Sequence, residues 1–231
     1  AYTRAVPTRH GTTTQGVEMK SRIALSSCLL VVTISANAAE IKLKSSEFKH
    51  ITFDDIPQTK YANEGEVLTM RVDKSSSLLL MPFDTVKTVS RVKFDWQFAG
   101  NFKVKSAKEE TTKDGDDSKL RVGLILSGEA PWVPFIAPAW IKAVQKNMKL
   151  ETDKLVYLQP GAMHAAGKTW ESPYSDSINN MSLASKPGKD GWSQVDHTFN
   201  KPYKVVGVWL MADGDNTNSV FTTKLRDLSF H

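Results

Sequence analysis

The sequence predicts an all-β fold, a two-sheet antiparallel β-sandwich of jelly-roll type with a short helix and long loop insertions at one end. Three observations lead to this fold class. Apolar and polar residues alternate with period two in several segments, as they do in strands that are buried on one face. Turn-forming residues separate these segments. No amphipathic helices lie between them, so two packed antiparallel sheets are the expected way to bury the apolar faces.

The clearest predicted strand covers residues 92–98, where Val92, Phe94, Trp96 and Phe98 fall on one face. Alternation of this kind places every second side chain in a common interior. The other candidate strands are similarly short and rich in Val, Phe and Thr, and they cover residues 50–53, 67–72, 77–81, 120–126, 155–158, 192–199, 205–211 and 222–230.

Two segments interrupt this strand pattern. Residues 130–140 are strongly apolar and contain three prolines, and residues 141–150 predict a short helix with Pro138 in its first turn. Residues 160–181 form a polar insertion that contains glycines. Long insertions in a sandwich usually lie at one end and carry the function, so we expect both segments to lie there.

The first 38 residues carry an export signature. Met19 begins a short basic stretch, residues 23–34 are apolar, and Ala36-Asn37-Ala38 is a small-residue cleavage motif. The apolar run is too short to span a hydrocarbon layer of about 30 Å, so we expect cleavage rather than a transmembrane anchor. The expected location is periplasmic or secreted. The expected division is an upstream segment over 1–18, a signal peptide over 19–38 and a single β-sandwich domain over 39–231.

Composition argues against several function classes. The formal net charge is +5, and cleavage would remove four basic side chains and one acidic one, leaving +2. The lysines are scattered rather than arranged in a stripe, so no nucleic-acid partner is expected. The single cysteine, Cys28, lies inside the apolar run. A lipoprotein site at residues 25–28 is the weaker interpretation, because few apolar residues precede Cys28. A cleaved protein would therefore have no thiol for disulfides, metal ligands or nucleophiles.

The carboxyl-terminal part of the chain carries a family resemblance. Residues 207–218 read as a buried strand followed by an Asp-Gly-Asp-Asn-Thr-Asn turn, and residues 225–230 read Leu-Arg-Asp-Leu-Ser-Phe. This pattern resembles the signature of the bacterial domain of unknown function 3047. Residues 116–122 resemble the family's Asp-Asp-x-x-x-Arg-Val motif, and residues 89–98 and 157–161 resemble its aromatic strand and its apolar-Pro-Gly stretch. The resemblance implies an exported β-sandwich without an established activity.

The turn at residues 213–218 offers oxygen ligands at the spacing used by hard-cation loops, with Asp213 and Asp215 as candidate Ca²⁺ ligands. The same residues suit a plain turn, because Asp and Asn side chains cap nearby amides and glycine tolerates unusual backbone angles. No other cofactor is expected. The two interpretations stay open at this stage.

A second acidic motif precedes a predicted strand and contains an arginine. If it approaches the turn in space, Arg121 would bind a carboxylate through two hydrogen bonds and form a buried ion-paired network. The alternative is a plain cluster of charges on the surface. The residues of this acidic turn network are Asp116, Asp117, Arg121, Asp213, Asp215 and Asn216.

Candidate ligand-binding residues lie in or near the insertions. An aromatic ring held at the end of a sandwich can stack on a sugar face, whereas the alternative is that these rings anchor the core or the loops. His164 is the histidine considered for proton transfer, although single histidines in loops are mostly solvated. No motif for a zinc site, a serine nucleophile, a phosphate loop or a dinucleotide fold occurs. The candidates are Trp132, Trp140, Trp170, Tyr174 and His164, and Trp192 also lies near a loop.

These observations support three hypotheses for the function. The first is an exported, non-catalytic binding domain for a glycan or another envelope component. The second is a hydrolase or lyase that acts on an envelope or extracellular polysaccharide, which would require two carboxyl groups in one cleft. The third is a protein or lipid interaction module that uses the apolar segment 130–140. Whether the protein is an enzyme, and its oligomeric state, are left open by the sequence.

Overall fold

Twelve strands form one hydrogen-bonded sheet within residues 38–129 and 139–231, the part of the chain that the computed structural model describes. The protein is therefore mostly β, as predicted. The strands are β1 (Ala39–Glu40), β2 (Lys49–Thr52), β3 (Lys60–Glu64), β4 (Val67–Asp73), β5 (Ser77–Asn101), β6 (Ser118–Ser127), β7 (Thr152–Pro160), β8 (Thr169–Ser172), β9 (Ser175–Leu183), β10 (Lys186–Pro187), β11 (Ser193–Asp213) and β12 (Val220–Phe230). Three short 3-10 helices cover Ser45–Glu47, Glu109–Thr111 and Lys113–Gly115, and the α-helix α1 covers Ala139–Asn147.

The strands lie in the order β3-β4-β12-β5-β11-β6-β7-β9-β8, with β1 paired to β12, β10 to β11 and β2 to β5. Two very long strands form the centre, because β5 has 25 residues and β11 has 21. They run antiparallel from the pair Ser193 and Trp96 to the pair Met211 and Leu78, with irregularities in register along the way. Each of these two long strands therefore extends over two segments that the sequence predicts as separate strands.

The larger apolar core confirms the predicted alternation near residue 94. Val92, Phe94 and Trp96 are buried, whereas the residues between them are partly exposed. In β6 the burial is two-sided, since Arg121 and Ile125 are also buried. Strands with apolar contacts on both faces lose their alternation, which explains this difference from the expected pattern.

A second apolar cluster lies where α1 contacts the sheet. The helix buries Ile141 and Val144, and the latter belongs to the same cluster as Trp209 and Tyr157. The predicted short helix is thus present, and Pro138 lies outside the described residues. No helix in the described ranges is long and apolar enough to cross a membrane.

Two parts of the predicted architecture differ from the structure. The sheet is mixed rather than antiparallel, because β7 and β9 pair in parallel from Leu155 and Ile178 onward. The chain between these strands is long enough to return to the same end of the sheet, as a parallel pair requires. The expected polar loop at 160–181 also contains β8 and most of β9. A division of the sheet into two packed layers stays a prediction.

Candidate functional site

A cavity of about 260 Å³ lies beside α1, at the end of the sheet where β6 begins and β11 ends. One wall is apolar and aromatic, and the other is acidic. The segment between β2 and β3 and the hairpin between β8 and β9 complete the lining. The lining residues are Phe53, Asp54, Ile56, Ser76, Asp116, Arg121, Ala139, Trp140, Tyr157, Ser172, Tyr174, Ile178, Trp209, Met211, Asp213, Asp215 and Asn216.

The aromatic wall consists of rings that hold one another edge to face. The centroid of Trp209 lies 5.9 Å from that of Trp140 and 5.5 Å from that of Tyr157. Phe53 contacts the other side of Trp140 at 5.7 Å. Trp209 and Tyr157 are buried, whereas Trp140 is half-buried. Edge-to-face packing fixes the orientation of each ring, so the wall is preformed.

The acidic wall is built around a buried arginine on β6. Nη1 of Arg121 donates to Oδ2 of Asp213 at 2.6 Å, and Nη2 donates to Oδ1 and the backbone carbonyl of Asp116 at 2.8 and 2.9 Å. The guanidinium also lies over the Tyr157 ring, 5.0 Å from its centroid. The structure therefore brings the two acidic motifs together below the surface, with one cation bound to two carboxylates.

Asp117 connects the start of β6 to the turn that follows β11. Its side chain accepts hydrogen bonds from the backbone amides of Asn216 at 3.1 Å and Thr217 at 2.8 Å, and also from the Thr217 hydroxyl. One carboxylate oxygen from each of Asp117, Asp213 and Asp215 lies within 4.8 Å of the other two. The turn is thus fixed by a fully buried acid from a distant part of the chain.

The electrostatics of this wall favour protons or a cation. Burial raises the pKa of Asp116 to about 6, although the Arg121 guanidinium opposes the shift. Burial also raises the pKa of Asp213 well above its usual range, and the carboxylates of Asp117 and Asp215 add to this effect. Burial alone would lower the pKa of Arg121, but Asp116 and Asp213 raise it above its ordinary value. The single positive charge of Arg121 does not balance the negative charges that Asp116, Asp117, Asp213 and Asp215 would carry when ionised.

Tyr174 lies at the mouth of the cavity and is 50% exposed. Its hydroxyl donates to the Lys113 carbonyl at 3.4 Å and accepts from Nδ2 of Asn216 at the same distance. The Lys113 ammonium lies 5.6 Å from the ring centroid. These contacts connect the β8–β9 hairpin with the turn after β11 and with the segment that precedes Asp116.

Three of the sequence candidates lie elsewhere. Trp170 is buried and packs on His164, with 4.2 Å between ring centroids, and neither residue is among the described residues that line the cavity. Trp192 is half-buried under the guanidinium of Arg226, 4.0 Å from the ring centroid. Trp132 and the apolar segment over residues 130–138 fall outside the described residues.

Sequence reasoning missed several residues at or near the site. Glu110 is 2% exposed and accepts hydrogen bonds from the backbone amides of Met163 and His164, so it holds the loop that contains His164. Trp209 and Tyr157 fall in predicted strands, and the structure shows that they also line the cavity. Trp209 and Tyr157 have apolar neighbours in sequence, so nothing there indicates that they border a polar cavity. The Asp-Asp-x-x-x-Arg spacing, in contrast, does indicate Asp116 and Arg121.

The fold and the cavity define a mostly β protein with a small pocket between an aromatic wall and a buried acidic cluster. Residues 46–229 match the model of the family described as protein of unknown function DUF3047, and the chain belongs to that family. This confirms the resemblance seen in the sequence. No curated protein matches the chain significantly.

Remote similarities to solved structures also exist. A family 29 carbohydrate-binding module mutant aligns with a TM-score of 0.36 and 9% identity, covering 85% of this chain and 92% of that one. A second mutant of that module, in complex with cellulohexaose, gives 0.34 and 8%, with coverage of 84% and 90%. The family 11 xylanase from Neocallimastix patriciarum gives 0.34 and 10%, with coverage of 84% and 95%. Similarity at this level carries no argument about the function of this chain.

Proposed function

We propose that the protein is an exported, non-catalytic binding domain whose cavity accepts a neutral sugar unit of an envelope glycan. The observation that carries this proposal is the pairing of an aromatic wall with carboxylates in one small cavity. Its volume of about 260 Å³ is just below the roughly 300 Å³ at which sites for drug-sized ligands begin. It therefore suits one or two sugar rings rather than a long chain.

Each wall matches one side of a sugar. The C–H face of a pyranose packs on an indole or phenol ring, and among the rings of these two kinds in the lining Trp140 and Tyr174 are partly exposed. Sugar hydroxyls donate hydrogen bonds to carboxylates, and the exposed Asp54 and half-buried Asp215 can accept them. Four lining carboxyl groups face one arginine, so an acidic glycan would be repelled as long as no further cation is bound.

A glycan array screen followed by titration calorimetry tests this proposal. We expect Tyr174→Ala and Trp140→Ala to weaken binding of the best neutral glycan by about tenfold or more, because each removes an aromatic anchor. Trp192→Ala is the matched control, since that ring lies against Arg226 outside the lining. Binding that is lost equally in the control, or a preference for acidic glycans in the presence of a chelator, would contradict the proposal. Circular dichroism would check that each variant is folded.

A polysaccharide hydrolase is the alternative, and one observation favours it. Asp213 and Asp215 both line the cavity, and their carboxylate oxygens lie within 4.8 Å of each other. Retaining glycosidases also hold two carboxyl groups close together, although at a somewhat larger separation of about 5–5.5 Å. Release of reducing ends from a polysaccharide, abolished by Asp215→Asn, would support this alternative. Absence of any release by a protein that binds the same polysaccharide would support the binding role.

The segment 130–140 as a contact for protein or lipid also stays a prediction, because most of it lies outside the described residues. The exported location is likewise part of the proposal. It is supported by the leader pattern at residues 19–38, and it fits a glycan of the cell envelope as the ligand.

A further inference from the structure

Three carboxylates from two distant parts of the chain converge beside the cavity. Asp117 precedes β6, Asp213 ends β11, and Asp215 lies in the turn after it. One oxygen from each lies within 4.8 Å of the other two. Asp117 is fully buried, Asp213 is 4% exposed, and Asp215 is half-buried and lines the cavity. Like charges this close repel unless something positive or a proton lies between them.

The hydrogen bonds of Asp213 leave one of its oxygens without a partner. Oδ2 accepts from Arg121 at 2.6 Å, whereas Oδ1 is buried and has no hydrogen-bond donor among the described residues. A buried carboxylate oxygen without a donor costs free energy comparable to a lost charged hydrogen bond. The Arg121 guanidinium is already bound to Asp116 and Asp213. Oδ1 is therefore open to a proton shared with Asp215 or to a cation, and the convergence of three carboxylates favours the cation, because one shared proton would still leave two negative charges side by side.

We propose that Asp117, Asp213 and Asp215 bind a Ca²⁺ ion, with the remaining coordination positions open to the cavity. Calcium takes oxygen ligands at about 2.3–2.6 Å, so two oxygens on opposite sides of the ion lie about 4.6–5.2 Å apart. One oxygen from each carboxylate lies no more than 4.8 Å from the other two, so all three can reach one ion at these bond lengths. Magnesium demands near-ideal octahedral geometry, keeps several waters and is usually bound by only one or two carboxylates, so three carboxylates favour calcium. Zinc prefers histidine and cysteine, and the cluster contains neither.

The ligand set is held in place before the ion binds. Arg121 fixes Asp213, and the amides of Asn216 and Thr217 fix Asp117. An oxygen that accepts a hydrogen bond keeps a second lone pair for a metal. An ion with two positive charges would offset most of the excess negative charge of the wall. This inference does not depend on the proposed function, because the ion would stabilise the β11–β12 turn whether or not a sugar enters the cavity.

Calorimetric titration of chelator-treated protein with CaCl₂ tests the inference directly. We expect saturable binding of one ion, a higher melting temperature with Ca²⁺ than without it, and a weaker response to MgCl₂. Asp215→Asn should weaken Ca²⁺ binding by about tenfold or more, because the site loses a charged ligand. This residue is half-buried, so the variant is expected to fold, and circular dichroism would confirm that. Asp114→Asn, at an exposed position close in sequence to Asp117, is the matched control and should bind like the wild type.

The absence of heat and of a melting-temperature shift at millimolar Ca²⁺ would overturn the inference. So would a Ca²⁺ affinity that Asp215→Asn leaves unchanged, since the ion would then be bound elsewhere. Glycan binding measured with and without chelator separates this inference from the proposed function. A protein that binds Ca²⁺ but no glycan would support the metal site and contradict the sugar site, and the reverse result would do the opposite.

Discussion

Arg121 is the residue on which the buried acidic wall depends, because its guanidinium is the cation bound to both Asp116 and Asp213. Arg121→Met would keep most of the side-chain volume but leave two buried carboxylates without their partner. Removing one member of a buried ion pair typically costs about 3–5 kcal/mol. We expect a loss of that size in the free energy of unfolding, measured by urea titration.

An exposed ion pair provides the control for this prediction. Arg91 binds Asp196 through two hydrogen bonds of 2.6 Å, and both side chains are largely solvated. Exposed pairs contribute about 0–1 kcal/mol, so Arg91→Met should change the unfolding free energy by no more than that. Equal losses in the two variants would show that the cluster around Arg121 is not a buried electrostatic unit.

The partly buried ring of His197 leads to a prediction about how stability depends on pH. Its ring contacts Phe199 edge to face, and burial lowers its pKa from 6.5. The unfolded chain therefore binds a proton at His197 more readily than the folded protein does. Burial of the neutral His197 ring contributes fully to stability above about pH 6.5, and this contribution is lost as the pH falls through the lower pKa of the folded protein. His197→Gln should make the melting temperature fall less between about pH 8 and about pH 5. Asn200→Gln, which removes no titratable group, should follow the wild-type curve. Parallel curves for all three proteins would contradict this prediction.

At the scale of elements, the packing of β6 against β11 positions the aromatic wall. A Cβ atom added at Gly123 would lie 2.8 Å from Cβ of Trp209 and 3.0 Å from Cδ1 of Leu155. Gly123→Ala would therefore force the indole away from its contacts with Trp140. Overpacking of this kind costs about 1–3 kcal/mol. We expect that loss in urea unfolding together with a shift in tryptophan fluorescence. Ser127→Ala, at the exposed end of β6, should change neither.

The sequence predicts a strand well where only one face of the strand is buried, because the alternation can then be seen within a few consecutive residues. Residues 92–96 alternate in sequence and in burial, because one face of this part of β5 lies in the core, whereas Phe98 is only partly buried. The parallel pairing of β7 with β9 was not predictable, since it depends on where residues far along the chain meet. Strand β3 was missed as well, because Lys60–Glu64 is polar and gains its structure from pairing with β4.

Only part of the acidic cluster could be predicted from the sequence. The residue types and their spacing indicated that Asp116 and Arg121 could pair, because an arginine fork matches a carboxylate. Whether they are buried depends on the contact between the start of β6 and the end of β11, which brings Arg121 opposite Met211 in register. The role of Asp117 as the cap of the β11–β12 turn has no signal in sequence, since its partners are about a hundred positions away.

At the scale of the whole molecule, the proposed export makes a prediction about the mature amino terminus. Strand β1 begins at Ala39, directly after the predicted cleavage motif, and pairs with Phe230 at the other end of the described chain. Cleavage after Ala38 would therefore leave the sheet intact. We expect intact-mass spectrometry of protein expressed with its leader in a Gram-negative host to give a chain that begins at Ala39 in the periplasmic fraction. Uncleaved protein in the cytoplasm would contradict the proposed export.

The central claim is that the cavity between the aromatic and acidic walls holds the ligand. A crystal structure of the protein with Ca²⁺ and with the glycan that binds most tightly in the array screen tests this claim most directly. The account predicts a sugar ring packed on Trp140 or Tyr174, with its hydroxyls directed at Asp54 or Asp215. A glycan bound instead at Trp192, with the cavity unchanged, would contradict it.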